Sequence, residues 1–198
     1  MLKYFYTIIV LFFFFDSYSQ VTVGVHRSGE VIDLKNKTTV DWQTINAYSR
    51  GLWLSYRLRR IELGTSITFG SFELRRPGYT YDINHTTIGI TISDSWTIWR
   101  KFKSEIRLYP YFRYFDDELY TASMIVDGTN FGFGSNLGMH YNLYKGLEIG
   151  LGVKQEFDLL RRAINSNEIT QKDRFIKLNS TSFALELKYR FGNKTDKL

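Results

Sequence analysis

Phe183, Leu185, Leu187, Tyr189 and Phe191 occupy every second position near the end of the chain, with Ala184, Glu186, Lys188 and Arg190 between them. A period of two with one oily side and one charged side predicts a β-strand lying between two different surroundings. The alternation recurs along the chain. Val21, Val23 and Val25 begin a first strand, and the polar stretch from about Ser28 to Thr44 is expected to be a loop. Leu52, Leu54, Tyr56 and Leu58 then alternate with Gly51, Trp53, Ser55 and Arg57. After a tight reversal at Arg59-Arg60, Ile61, Leu63, Ile67 and Phe69 stand against Glu62, Gly64, Ser66, Thr68 and Gly70, which makes the two runs a hairpin.

Glu73 to His85 contains the turn residues Arg75-Arg76-Pro77-Gly78 and is expected to form a longer loop. Ile88, Ile90 and Ile92 mark a fourth strand that continues through Trp96 and Ile98 to a turn at Arg100-Lys101. Ile106, Leu108, Phe112 and Tyr114 alternate with Glu105, Arg107, Tyr109, Tyr111 and Arg113, although Pro110 within this strand removes one ladder donor. Asp116-Asp117-Glu118 opens another loop. Phe131, Phe133, Leu137, Met139, Tyr141 and Leu143 form the sixth strand, and Tyr144-Lys145-Gly146 reverses the chain. Leu147, Ile149, Leu151, Val153 and Phe157 follow against Glu148, Gly150, Gly152, Lys154, Glu156 and Asp158, and a polar segment from about Leu159 to Lys177 leads to the closing strand.

The strands number about eight, and their connections alternate long and short. The predicted fold class is therefore all-β, one eight-stranded antiparallel up-and-down barrel over residues 20–191 that spans a membrane. Brief turns are expected at its periplasmic rim and longer loops outside. A soluble ligand-carrying barrel also alternates, so the polar face has to decide which side is oily. That face combines many glycines with charges of both signs, as a crowded interior would require. The expected lumen charge network is Arg57, Glu62, Glu105, Arg107, Arg113, Glu148, Lys154, Glu156, Glu186, Lys188 and Arg190. It reads as a polar plug, because an unpaired charge buried there would cost several kcal/mol. Phe183, Leu185, Leu187, Tyr189 and Phe191 become the lipid face of the closing strand. Tyr56, Trp96, Phe112, Tyr114 and Tyr141 add to the aromatic ends suited to the headgroup zone.

Before the first strand, Lys3, the apolar run Tyr4 to Phe15 and the small residues around Ser17-Tyr18-Ser19 read as a cleaved export signal over residues 1–19. The run is shorter than the roughly 20 residues a membrane helix needs. Residues 192–198 are expected to be a short polar periplasmic tail. With no cysteine, disulfides, thiolate metal sites and cysteine nucleophiles are excluded. The net charge of +6 is scattered rather than clustered, which gives nucleic acid little purchase.

With the signal, the alternating connections and the ending Phe183 to Phe191 in view, the chain resembles the small outer-membrane β-barrel superfamily of the outer membrane protein A and X type. The resemblance implies an integral outer-membrane protein of a Gram-negative envelope, inserted by the barrel assembly machinery. Its expected partners are outer-membrane lipid, lipopolysaccharide and other envelope proteins. A tail after Phe191 departs from members that stop at the aromatic residue. Lipid A deacylases of that membrane carry a His and a Ser two residues apart, whereas His140 is followed by Tyr141 and Asn142. A single inward His is more often a hydrogen-bonded filler than a base. His26 and His85 have no recognisable partner spacing, and Asp116, Asp117 and Glu118 read as a solvated rim rather than a metal site.

Arg75, Arg76, Arg161 and Arg162 lie in expected outer loops, where guanidinium groups suit lipopolysaccharide phosphates. No catalytic residue, cofactor or metal site is expected. The expected function is a non-enzymatic structural or interaction role, with an accessory place in a larger envelope complex as one form of it. A narrow pore is the alternative, ahead of a lipid A-modifying enzyme.

Overall fold

A computed structural model describes residues 20–34, 42–58, 61–117, 119–120, 125–126, 128–162 and 177–192. Eight strands close into one ring: β1 (Gln20–Leu34), β2 (Gln43–Leu58), β3 (Ile61–Arg76), β4 (Tyr79–Trp99), β5 (Phe102–Phe115), β8 (Thr129–Tyr144), β9 (Leu147–Arg162) and β10 (Leu178–Phe191). Between β5 and β8, β6 (Leu119–Tyr120) and β7 (Ile125–Val126) pair as a two-stranded ribbon. Every barrel strand is antiparallel to its neighbours, and β1 closes the ring on β10 with Val21 opposite Phe191 and Leu34 opposite Leu178. Closure leaves no open sheet edge, which is what allows a sheet to cross a bilayer.

The pleat faces outward with its oily side. Leu185 and Leu187 are 54% and 44% exposed, while Glu186 and Lys188 are 1% and 2% exposed. The same division holds on the other strands, from Val21, Val23 and Val25 on β1 to Ile149, Leu151 and Val153 on β9. A ring of exposed aliphatic and aromatic side chains on this scale is a membrane belt rather than a water-facing surface. A soluble barrel would show the reverse arrangement.

Three segments differ from the expectations. β1 continues into the supposed loop as far as Leu34, β9 continues to Arg162, and β3 and β4 occupy Glu73 to His85 except for Pro77-Gly78. The connection between β3 and β4 is only Pro77-Gly78. Pro77 suits the second position of a tight turn, and Gly78, at φ 81°, supplies the positive φ of the third. Long and short connections therefore do not alternate strictly, and length has moved from loop into strand. β4 has 21 residues, whereas a barrel strand needs about 9–11 to cross lipid, so its first part stands clear of the membrane.

In this projecting part the faces exchange roles. Ile32, Trp42, Phe72, Leu74, Ile83 and Leu178 form a buried apolar cluster inside the outer end of the barrel. Water surrounds the strands there, so the apolar side chains turn inward and polar ones such as Glu73, Arg75 and Asp82 face out. The cluster lies over the polar lumen as a dry cap.

Pro110 faces lipid on β5. Its pairing with β8 is continuous through Phe133, but the ladder with β4 lapses between Gly89–Tyr111 and Ile92–Leu108 without a shift of register. These missing pairs need an N–H at position 110, which proline lacks. The reversal at Arg59-Arg60, the export signal at 1–19 and the tail beyond Gly192 lie outside the described residues.

Candidate functional site

Alternation brings side chains that are distant in sequence into three levels of the lumen. At the periplasmic level, Arg190 contacts Glu62 at 2.7 Å, and Ser55 donates to the same carboxylate at 3.0 Å. Glu148 receives Lys103 at 2.8 Å and Lys188 at 3.1 Å. Arg57 lies at this rim and donates to Gln20 at 3.4 Å.

In the middle, Glu105 is held between Lys188, at 2.5 Å, and Arg107. Arg107 also approaches Glu186 at 3.6 Å and lies over the Trp53 ring at 4.1 Å. Asn136 donates to Glu186 at 2.6 Å, and His140 Nε2 lies 3.0 Å from its other oxygen. His140 is thus a carboxylate partner inside a filled interior.

Toward the outer end, Glu156 accepts from Lys154 at 2.7 Å, from the Tyr109 hydroxyl at 3.0 Å and from Arg113. Arg113 reaches across to Asp158 at 2.7 Å, and Asp158 also accepts from Tyr111, Asn130 and the backbone N–H of Leu178. The apolar cap lies above this level.

All the acidic and basic residues of the expected network face the lumen. The ion pairs among the described residues join six carboxylates to six lysine and arginine side chains when Lys103 and Asp158 are included, with His140 as a further partner of Glu186, so the lysine and arginine charges match the carboxylates one for one. Lys103 escaped the sequence reading because it lies beside the turn, although it shares the phase of Glu105. Trp53, Tyr109 and Tyr111 also belong to the filling. Each faces a small partner position, with Gly24 under Trp53, Gly134 under Tyr109 and Gly132 under Tyr111. The space left beside Trp53, Tyr109 and Glu186 amounts to about 20 Å³. That is room for about one isolated water molecule and not for a passing solute.

A second region lies at the outer end of the barrel, beside the apolar cap at the tip of the β3–β4 hairpin. The Arg76 guanidinium is 4.8 Å from the Trp42 ring centre and 4.5 Å from that of Tyr79, between two aromatic faces. Tyr79 stacks on Tyr81 at 6.5 Å. Together with Gln43, Arg75, Pro77, Gly78 and Thr80, Arg76 and Tyr79 line an open groove of about 510 Å³. Arg75 and Arg76 are therefore strand residues of a hairpin tip and not members of a loop. Arg161 and Arg162 fall at the end of β9, and their side chains lie outside the described residues.

Asp116 and Asp117 brace the same end. Asp117 accepts from the backbone and side-chain nitrogens of Asn84 at 2.6 and 2.9 Å, and Asp116 accepts from Thr86 at 3.2 Å. Glu118 lies outside the described residues.

No family model and no curated relative matches the chain. Among solved structures, Neisserial surface protein A is similar at 10% identity and TM-score 0.59, over 87% of this chain and 97% of that one. OprG of Pseudomonas aeruginosa is similar at 10% identity and TM-score 0.50, over 87% and 95%. Ail of Yersinia pestis, in complex with the heparin analogue sucrose octasulfate, is similar at 11% identity and TM-score 0.51, over 87% and 99%. The chain has the fold of the small eight-stranded outer-membrane barrels, and that fold and its apolar belt place it in the outer membrane.

Proposed function

We propose that this protein is a non-enzymatic outer-membrane barrel with a structural or interaction role, closed to solutes and offering its outer rim to a ligand or to another envelope protein. The filled lumen carries the reading. Charges packed against one another at each level, under an apolar cap, support closure over passage. Planar bilayers with the refolded full chain test this: the expected record is a flat baseline under applied voltage, and stepwise currents would establish the narrow pore instead.

The Arg75 and Arg76 groove supports an anionic ligand at the rim, the phosphorylated saccharide of lipopolysaccharide being the one at hand in an outer membrane. A guanidinium held between two rings turns its edge, and with it its in-plane terminal N–H donors, away from the ring faces, the geometry that suits phosphate oxygens. The Ail complex carries a polysulfated saccharide on a barrel of the same fold. Loss of lipopolysaccharide retention by an Arg75→Gln/Arg76→Gln variant is the expected result, and unchanged retention would remove the groove from the reading. Affinity purification of the native protein from detergent-solubilised membranes addresses the envelope partner.

A further inference from the structure

Two arginines interrupt the oily belt from outside. On β1 the outward row Val21, Val23, Val25 is followed by Arg27, and on β2 the row Leu58, Tyr56, Leu54, Leu52 is followed by Arg50. Arg27 and Arg50 are directly opposite each other in the ladder, and both are exposed. Their outward neighbours are Val25 and Gly29 along β1, Leu52 and Tyr48 along β2, Leu185 across on β10 and Phe69 across on β3. No carboxylate is among them. The nearest outward acid further along β1 is Asp33, six residues on and about 20 Å away at the rise of a strand. On β3, Glu73 accepts from Asn46 at 2.6 Å.

Like charges placed directly opposite each other destabilise a strand pair, so the pair calls for an anion between its members. Both lie near the outer end of the apolar belt, with exposed Tyr48 and Phe183 one outward position further on, on the side of the barrel that carries the cap. That is the depth of the outer-leaflet headgroups. An anion arriving from lipid brings acyl chains with it, and the wall directly below, Val25, Leu52 and Leu54, is aliphatic and exposed.

We propose that Arg27 and Arg50 form a binding site for the phosphate of an outer-leaflet lipid, with the acyl chains of that lipid lying against Val25, Leu52 and Leu54. Two guanidinium groups hold one phosphate by paired charge-assisted hydrogen bonds, and the phosphate relieves their mutual repulsion. The site is on the outer wall between β1 and β2, separate from the Arg75 and Arg76 groove at the β3–β4 tip, and it stands or falls independently of it.

The full chain, refolded into detergent micelles, is titrated in native mass spectrometry with dimyristoyl phosphatidic acid, dimyristoylglycerol and inorganic phosphate in turn. Wild type is expected to retain one phosphatidic acid and no dimyristoylglycerol, with excess inorganic phosphate failing to displace the lipid. Arg27→Gln/Arg50→Gln is expected to weaken retention by about tenfold or more. Compact heat-sensitive migration on gels verifies that each variant has folded, and the single variant Arg50→Gln gives a milder form of the same test. Equal retention by the Arg27→Gln/Arg50→Gln variant, or retention of dimyristoylglycerol as strong as that of phosphatidic acid, would overturn the proposal. Displacement by inorganic phosphate would overturn its lipid source.

Discussion

Phe69 and Phe72 are three residues apart on β3 and face different surroundings: Phe69 is 46% exposed toward lipid, and Phe72 is 1% exposed inside the outer end of the barrel. The strand keeps its pleat between them, but the apolar positions change from odd to even at Gly70-Ser71, where the wall leaves the bilayer. Truncating the two rings should therefore cost different amounts. Phe69→Ala loses transfer free energy, about 2 kcal/mol, because lipid chains fill the space. Phe72→Ala also leaves a cavity in a packed cluster, for a total of about 4 kcal/mol. Urea unfolding of the barrel in vesicles checks the order, and a larger cost at Phe69 would contradict the cap.

This exchange explains which parts of the fold were legible in the sequence. Within the membrane one rule, odd or even positions oily, governs each strand and is broken only at single positions such as Arg27, Arg50 and Asp94, so Phe183 to Phe191 and Leu147 to Val153 declare themselves. Beyond the membrane the rule inverts while the strand continues. Glu73, Arg75 and Asp82 then resemble loop residues, although Phe72, Leu74 and Ile83 keep the pleat. The lumen charges were legible by phase, since each shares a face with its neighbours two residues away. Their partners were not, because the pairing of Lys188 with Glu105 or Arg190 with Glu62 depends on strand register and on the distance across the interior. The groove at Arg76 was hidden for a similar reason, as Trp42 and Tyr79 come from different strand ends.

Glu105 holds Lys188 and Arg107 at once, and all three are nearly inaccessible to water. Glu105→Gln leaves two cations sharing the remaining carboxylates, and a loss of about 3 kcal/mol is expected. Adding Lys188→Met should recover part of it by removing one of the cations. Urea midpoints of the two single variants and the double variant give the coupling. Additive losses would show that the pair does not act as a unit.

Pro110 leaves the Ile90 carbonyl without the ladder donor that position 110 would supply, on a wall facing lipid. A bilayer core offers no water to replace it. Pro110→Ala is expected to stabilise the barrel by about 1 kcal/mol and to slow amide exchange at Thr91 and Ile92. No gain in either measure would mean that the break in the β4–β5 ladder has a cause other than the missing N–H.

The fit of large rings over glycines gives the most direct test of how the lumen is filled. A Cβ at Gly24 would meet the six-membered ring of Trp53, which is 2% exposed and lies beneath the Arg107 guanidinium. Gly24→Leu should therefore prevent compact folding or cost several kcal/mol, because an interior at crystal-like density has nowhere to move the indole. Trp53→Ala alone opens a cavity and removes the face under Arg107, with a loss of about 3 kcal/mol. Combining Gly24→Leu with Trp53→Ala restores most of the volume from the opposite strand, so the double variant should be more stable than Gly24→Leu alone. Heat-modifiable migration and urea midpoints report the order. If Gly24→Leu folds as wild type does, the ring is free to leave its place and the lumen is less tightly packed than a plug requires.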